Sequence, residues 1–221
     1  MKINILKSLT IVLLTTVTSL APFYANAQSA EKKATSLLDE VTAKMKAYKT
    51  MKLEFTYSMS NKSQKINESF KGSLLAKGDK YKLEIGGHSG QQIFCDGKTA
   101  WTYQKDANEV QISEVTGDEE SFTPTKFMTS YNNNYKSRLV SEKGSLQTIE
   151  MSPIKGRNKF QKVNLTLDKD SKQVKSMQVF DKNGGVFTYN IESFVTNQPI
   201  SDAEFVFKTS NYPKVEVIDM R

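Results

Sequence analysis

Side chains able to do chemistry are sparse in this sequence. His88 is the only histidine and sits in the loop Gly86-Gly87-His88-Ser89-Gly90. A catalytic triad or a metal centre would have to be built on it. No second His or Cys stands at ligand spacing, so a solvated loop histidine is the simpler account. Cys95 is the only cysteine; a thiol of this kind is either a reactive group or a small buried hydrophobe. Glu119 and Glu120 are adjacent carboxylates, but neighbours on a helix do not face one another, and a helix start near its positive end suits them better. No Gly-rich phosphate loop and no nucleophile elbow is present. The expectation is a protein that is not an enzyme and that carries no metal and no cofactor.

What the sequence offers instead is patterned apolar surface. The stretch Phe94-Cys95-Asp96-Gly97-Lys98-Thr99-Ala100-Trp101-Thr102-Tyr103 is an Asp-Gly hairpin that delivers the only Trp, then a Tyr, onto one face of a strand. Trp101 and Tyr103 are therefore either packed core or the wall of an apolar cavity. Tyr and Trp join a large apolar body to a polar tip, and Met adapts to irregular ligands.

Composition restricts the setting. The chain has 221 residues and a formal net charge of +7. The charge is spread along the chain without a block of Lys or Arg, so nucleic acid is not an expected partner. Residues 1–27 have the form of an export signal: Lys2 and Lys7, an apolar run from Leu9 to Leu20, then Ala25-Asn26-Ala27 before Gln28. The expectation is cleavage after Ala27 and a periplasmic protein, with residues 28–221 as one domain. The run is too short to span a bilayer comfortably, and no Cys follows it for lipid attachment. One Cys excludes an internal disulfide framework, so a core must hold the fold.

The elements follow from periodicity. Ala34, Leu37, Leu38, Val41, Met45 and Tyr48 recur at spacings of three and four, predicting a helix with one apolar stripe and Ser29 as its N-cap. After Thr50 the period becomes two. Leu53, Phe55, Tyr57 and Met59 alternate with polar residues, as do Tyr81, Leu83 and Ile85, Val110 and Ile112, Val163 to Leu167, Met177 and Val179, Phe187 to Ile191, and Phe205 with Phe207. Short runs bounded by turn residues predict ten or eleven antiparallel strands. Between Gly117 and Tyr135 the alternation stops; Pro124 begins a predicted short helix carrying Phe127, Met128 and Tyr131. The whole pattern predicts a mainly β fold: one curved antiparallel sheet with a polar outside and an apolar inside, covered by the N-terminal helix and the short mid-chain helix. A two-sheet sandwich accounts for the strands but leaves the helices without a role.

The hairpin Asp96-Gly97-Lys98-Thr99-x-Trp101-x-Tyr103 resembles that of the periplasmic outer-membrane lipoprotein carriers, the LolA family. Phe70-Lys71-Gly72-Ser73-Leu74 and Tyr81-x-Leu83-x-Ile85 are similar to the family's two preceding strands. Asn158-Lys159-Phe160, Val163 to Leu167, Asp181-Lys182-Asn183-Gly184-Gly185 and the ending Phe205-Val206-Phe207 … Pro213-Lys214-Val215-Glu216-Val217-Ile218-Asp219 extend the resemblance downstream. Two departures stand out. Lys77-Gly78-Asp79 occupies the place of an Arg-Pro pair whose Arg helps to hold the lid closed, and Val215 stands where the family's terminal motif has Gly.

The resemblance implies an unclosed antiparallel β-barrel whose apolar concave face is capped by the N-terminal helix and a mid-chain helical lid. It implies a carrier that takes acylated lipoproteins from an inner-membrane ATP-driven exporter and passes them to the outer membrane. An outer-membrane acceptor as partner and a monomeric state are further expectations. The resemblance also implies an acyl-chain cavity, for which Phe55, Tyr57, Tyr81, Leu83, Trp101, Tyr103, Ile112, Phe187 and Tyr189 are the expected lining. Leu38, Val41 and Met45 on the first helix and Phe127, Met128 and Tyr131 on the second form the expected lid. A lipid-binding or lipid-sensing module on the same half-barrel is the alternative function, and a hydrolase centred on His88 a further one.

Overall fold

The computed structural model describes residues 21–86, 90–115, 135–154 and 160–221, with side chains described from residue 28 onward. Among these residues one helix, α1 (Ala21–Ala47), precedes eleven strands: β1 (Met51–Asn61), β2 (Ile66–Lys77), β3 (Lys80–Ile85), β4 (Gln91–Cys95), β5 (Thr99–Gln104), β6 (Glu109–Glu114), β7 (Tyr135–Lys143), β8 (Leu146–Pro153), β9 (Phe160–Asp168), β10 (Gln173–Asp181) and β11 (Gly185–Thr196). Two short 3₁₀ turns and a final strand, β12 (Glu216–Asp219), complete the chain. All twelve described strands form one sheet in the order β12-β6-β5-β4-β3-β2-β1-β11-β10-β9-β8-β7. Its two ends, β12 and β7, do not pair, so the barrel is unclosed as expected.

The sheet is antiparallel except at one edge, where β12 runs parallel to β6. A parallel neighbour needs a long crossover, and the chain from Asn197 to Val215 supplies it. The helix also differs from expectation. It is already helical at Ala21, upstream of Ser29, where Ala21, Ala25 and Ala27 are good helix formers. Ser29 therefore lies inside the helix and caps nothing. The predicted helix around Pro124 to Tyr131, and His88, Glu119 and Glu120, lie outside the described residues.

Two covers lie on opposite faces of the sheet. On the face termed inner, Ala34, Leu38 and Val41 of α1 are fully buried with Leu37 against Ile149 and Met151 of β8, Val163, Leu165 and Leu167 of β9, and Met177 of β10. Each large side chain removed from water in this way contributes on the order of 2 kcal/mol. Lys44 Nζ donates to the Ser171 carbonyl (2.8 Å) and Lys172 pairs with Glu40, fixing the helix to the β9–β10 turn.

On the outer face, the segment after β11 crosses β3 to β6 as a strap. Its start is held by the Asn197 N–H to the Thr50 carbonyl (2.9 Å) and by Thr50 Oγ1 donating to the Gln198 carbonyl (2.7 Å). Lys77 and Lys80 both reach Asp202 at 2.7 Å. Phe207 then packs with Phe94, Tyr103 and Val110, flanked by Trp101, Tyr212 and Val215.

Candidate functional site

The inner face is reconstructed from strand register, since directly opposed residues share a face. Tyr57 opposes Tyr189 on one side and Phe70 on the other. Leu53 opposes Leu74, Leu74 opposes Leu83, and Leu83 opposes Ile93. Phe187 opposes Met59, and Ala76 opposes Tyr81. The result is one apolar wall over β11, β1, β2, β3 and β4. Where α1 ends, Met45 and Tyr48 pack on the Leu53–Phe55 part of it. Beyond the helix, Tyr57, Phe70, Tyr81, Leu83, Ile85 and Ile93 are only half-buried.

Phe55 is the anchor of this wall. It is buried, its ring stands 5.8 Å from that of Tyr189, and the Tyr57 and Tyr189 rings are 5.0 Å apart. Tilted aromatic pairs of this kind add to area burial through their quadrupoles. Burial pushes the Tyr81 phenol up to about 12, helped by the neighbouring Cys95, and burial with Tyr57 nearby pushes Tyr189 to about 12. Burial, then Glu68, raises the Tyr57 phenol as well. All are neutral hydroxyls at physiological pH.

The expected lining divides here. Phe55, Tyr57, Tyr81, Leu83, Phe187 and Tyr189 share the inner face. Trp101, Tyr103 and Ile112 do not. Thr102, not Trp101, opposes Ile93; Trp101 opposes Phe94 and Ile112, and Tyr103 opposes Gln92 and Val110. All three therefore lie on the outer face, beneath or beside the strap. The hydroxyls there are satisfied: Tyr103 donates to Asn108 Oδ1 (3.0 Å) and Tyr212 to Gln92 Oε1 (2.7 Å). Tyr103 is core, closed by rings from Phe207 at 5.7 Å and Tyr212 at 4.5 Å. The physical reason is that the strap needs an apolar seat, and alternation on β5 and β6 provides it at the cost of the inner face.

Of the expected lid, Leu38 and Val41 are fully buried and Met45 half-buried. Phe127, Met128 and Tyr131 lie outside the described residues. Lys77, at the place of the expected Arg, projects outward; its Nζ donates to Asp202 and to the Ile200 carbonyl (3.2 Å), so it fastens the strap. Sequence reasoning missed Phe70, Leu74 and Ile93. Ile93 sits in the unbroken run Ile93-Phe94-Cys95, where no alternation is visible because the inner wall and the strap both cover β4.

Among the described residues no group of metal-ligating side chains lies together. What the inner wall presents is apolar surface edged by neutral phenols, suited to a flexible greasy ligand.

The family model described as outer membrane lipoprotein carrier protein LolA matches residues 46–208. An outer-membrane lipoprotein carrier protein of Histophilus somni (strain 2336) is 24% identical over 186 residues, covering 83% of this chain and 88% of its own. One from Chromobacterium violaceum is 26% identical over 173 residues, covering 75% and 82%. Among solved structures, an uncharacterized conserved protein from Thermus thermophilus superposes with a TM-score of 0.53 at 15% identity, covering 85% of this chain and 99% of that one. That last likeness concerns the fold alone.

Proposed function

The chain belongs to the LolA family of outer membrane lipoprotein carrier proteins, and on that premise we propose that it carries lipoproteins through the periplasm by burying their acyl chains against the inner wall. Residues 1–27 serve as the cleaved export signal. Cargo arrives from an inner-membrane ATP-driven exporter and leaves to an outer-membrane acceptor, with the carrier acting as a monomer and without a catalytic step. The observation that carries the proposal is the half-exposed apolar wall of Tyr57, Tyr81, Leu83, Phe187 and Tyr189 beside α1.

Energetics favour an incomplete seat. Burying acyl chain is worth roughly 0.8 kcal/mol per CH₂, so a cavity that captured every methylene would hold its cargo irreversibly. A wall already partly occupied by Met45 and Tyr48 where the helix ends recovers only part of that energy.

The test is extraction of lipoproteins from spheroplasts by purified protein, with Leu83→Glu as the variant. A carboxylate on the wall is expected to abolish release of lipoprotein while circular dichroism stays that of the wild type. Retained release by Leu83→Glu overturns the cavity assignment. Mass spectrometry of material co-purified from the native source separates the carrier, which holds protein-linked lipid, from a lipid-binding module, which holds free lipid.

A further inference from the structure

The inner face changes character between β4 and β5. Leu74, Leu83 and Ile93 form a single cross-strand row that continues into Thr102 and then Gln111. A second row runs from Gly72 and Ile85 to Gln91, Gln104 and Glu109. Ala100 opposes Ser113 on the third. Adjacent strands lie about 4.8 Å apart, so the apolar wall passes into a surface of amides and hydroxyls within one strand spacing. These side chains are half-buried and uncharged except for Glu109, which accepts a hydrogen bond from Gln111 Nε2 at 2.8 Å. On β12 the first row ends at the half-buried Ile218, opposite Gln111, and the second at the exposed Glu216, opposite Glu109.

We infer that this polar strip of Thr102, Gln104 and Gln111 seats the polypeptide of the cargo next to its lipid-modified residue. The inference rests on the carrier reading above and adds a second subsite to it. An amphiphile whose chains lie on Leu83 and Ile93 has its polar end directed along the same rows, off the apolar wall and onto β5 and β6. Peptide groups offer one N–H and one C=O each; a glutamine side chain offers the complementary pair, and a threonine hydroxyl serves as either partner. Thr102, Gln104 and Gln111 are uncharged, and carboxylates stand only at the margin, where Glu109 opposes Glu216 of β12. Such a strip suits a backbone rather than an anionic headgroup, and it is indifferent to most of the cargo's side chains. That indifference is what a carrier of many lipoproteins needs.

The experiment compares two synthetic probes that share one lipid: dipalmitoylglyceryl-cysteine followed by a short uncharged peptide, and the same lipidated cysteine ending as a methyl ester. Binding to the wild type and to the double variant Thr102→Val with Gln111→Leu is measured by calorimetry. The expected result is a loss of about tenfold in affinity for the lipopeptide, well beyond any loss for the ester, with a wild-type melting curve. Equal losses for both probes, or no loss for either, overturn the peptide subsite and leave the acyl cavity standing. Failure of the wild type to bind either probe overturns the cavity, and the peptide subsite with it.

Discussion

The ring of Phe55 lies over the bare backbone of Gly72: a Cβ on residue 72 would stand 2.4 Å from Phe55 Cε2 and 2.9 Å from the Glu84 carbonyl. The two residues oppose each other across β1 and β2. Only glycine lets a fully buried ring occupy the middle of the wall at that position. Gly72→Ala is expected to destabilise the fold by about 1–3 kcal/mol, the usual cost of overpacking a core. Urea unfolding measures it, and a wild-type midpoint for the variant would show that the ring has room to retreat.

Trp101 and Phe207 lie together on the outer face, away from the inner wall. Phe207→Ala removes a buried ring from the strap and is expected to cost about 3–5 kcal/mol. It is also expected to shift the emission of Trp101, the sole tryptophan, to the red as water enters. Loading the wild type with a lipopeptide, by contrast, leaves that emission where it was. A blue shift on loading would return Trp101 to the cavity.

Hydrogen bonds from Lys77, then Lys80, hold the Asp202 carboxyl at about 2, below its usual 3.8. A depressed carboxyl pKa stabilises the fold above the unfolded value and loses that contribution as pH falls through the folded one. Asp202→Asn is therefore expected to melt below the wild type at neutral pH, with the gap closing between pH 3.8 and about 2. The pair is exposed, so the gap is small. A gap that persisted in acid would assign it to something other than ionisation.

Tyr81 and Tyr189 have phenols raised from 10.0 to about 12 by burial. A raised folded pKa means that the stabilisation is complete below pH 10 and is lost as pH rises toward about 12. The double variant Tyr81→Phe with Tyr189→Phe is expected to stay folded at higher pH than the wild type. Tyrosinate absorbance in the wild type should rise in two stages, surface phenols first. A single transition would mean that these rings are open to water.

Much of the architecture is legible before folding. Spacings of three and four along Ala34 to Tyr48 give the helix and its buried stripe, because a stripe that wide has to be covered. The Asp96-Gly97 pair gives the hairpin: Gly97 has φ of 94°, and Asp96 Oδ1 accepts from the Lys98 and Thr99 N–H groups at 2.9 and 2.8 Å. Period-two alternation places Tyr57 with Phe55, and Tyr81 with Leu83.

Alternation with a period of two is enough to say which residues of each strand share a face. It does not say which of a strand's two faces the sheet turns inward. That choice depends on what covers each face, and the covers come from distant parts of the chain: α1 from residues 21–47 over β8 to β10, and the strap from beyond Thr196 over β3 to β6. Alternation in Trp101-Thr102-Tyr103 is as regular as in Tyr81-Lys82-Leu83, yet the two apolar sets lie on opposite sides of one sheet. Register across β3, β4 and β5 makes the assignment, by opposing Leu83 to Ile93 and Ile93 to Thr102. Folding thus turns Trp101 and Tyr103 from cavity wall into the seat of the strap, and it leaves a polar inner face where they were expected.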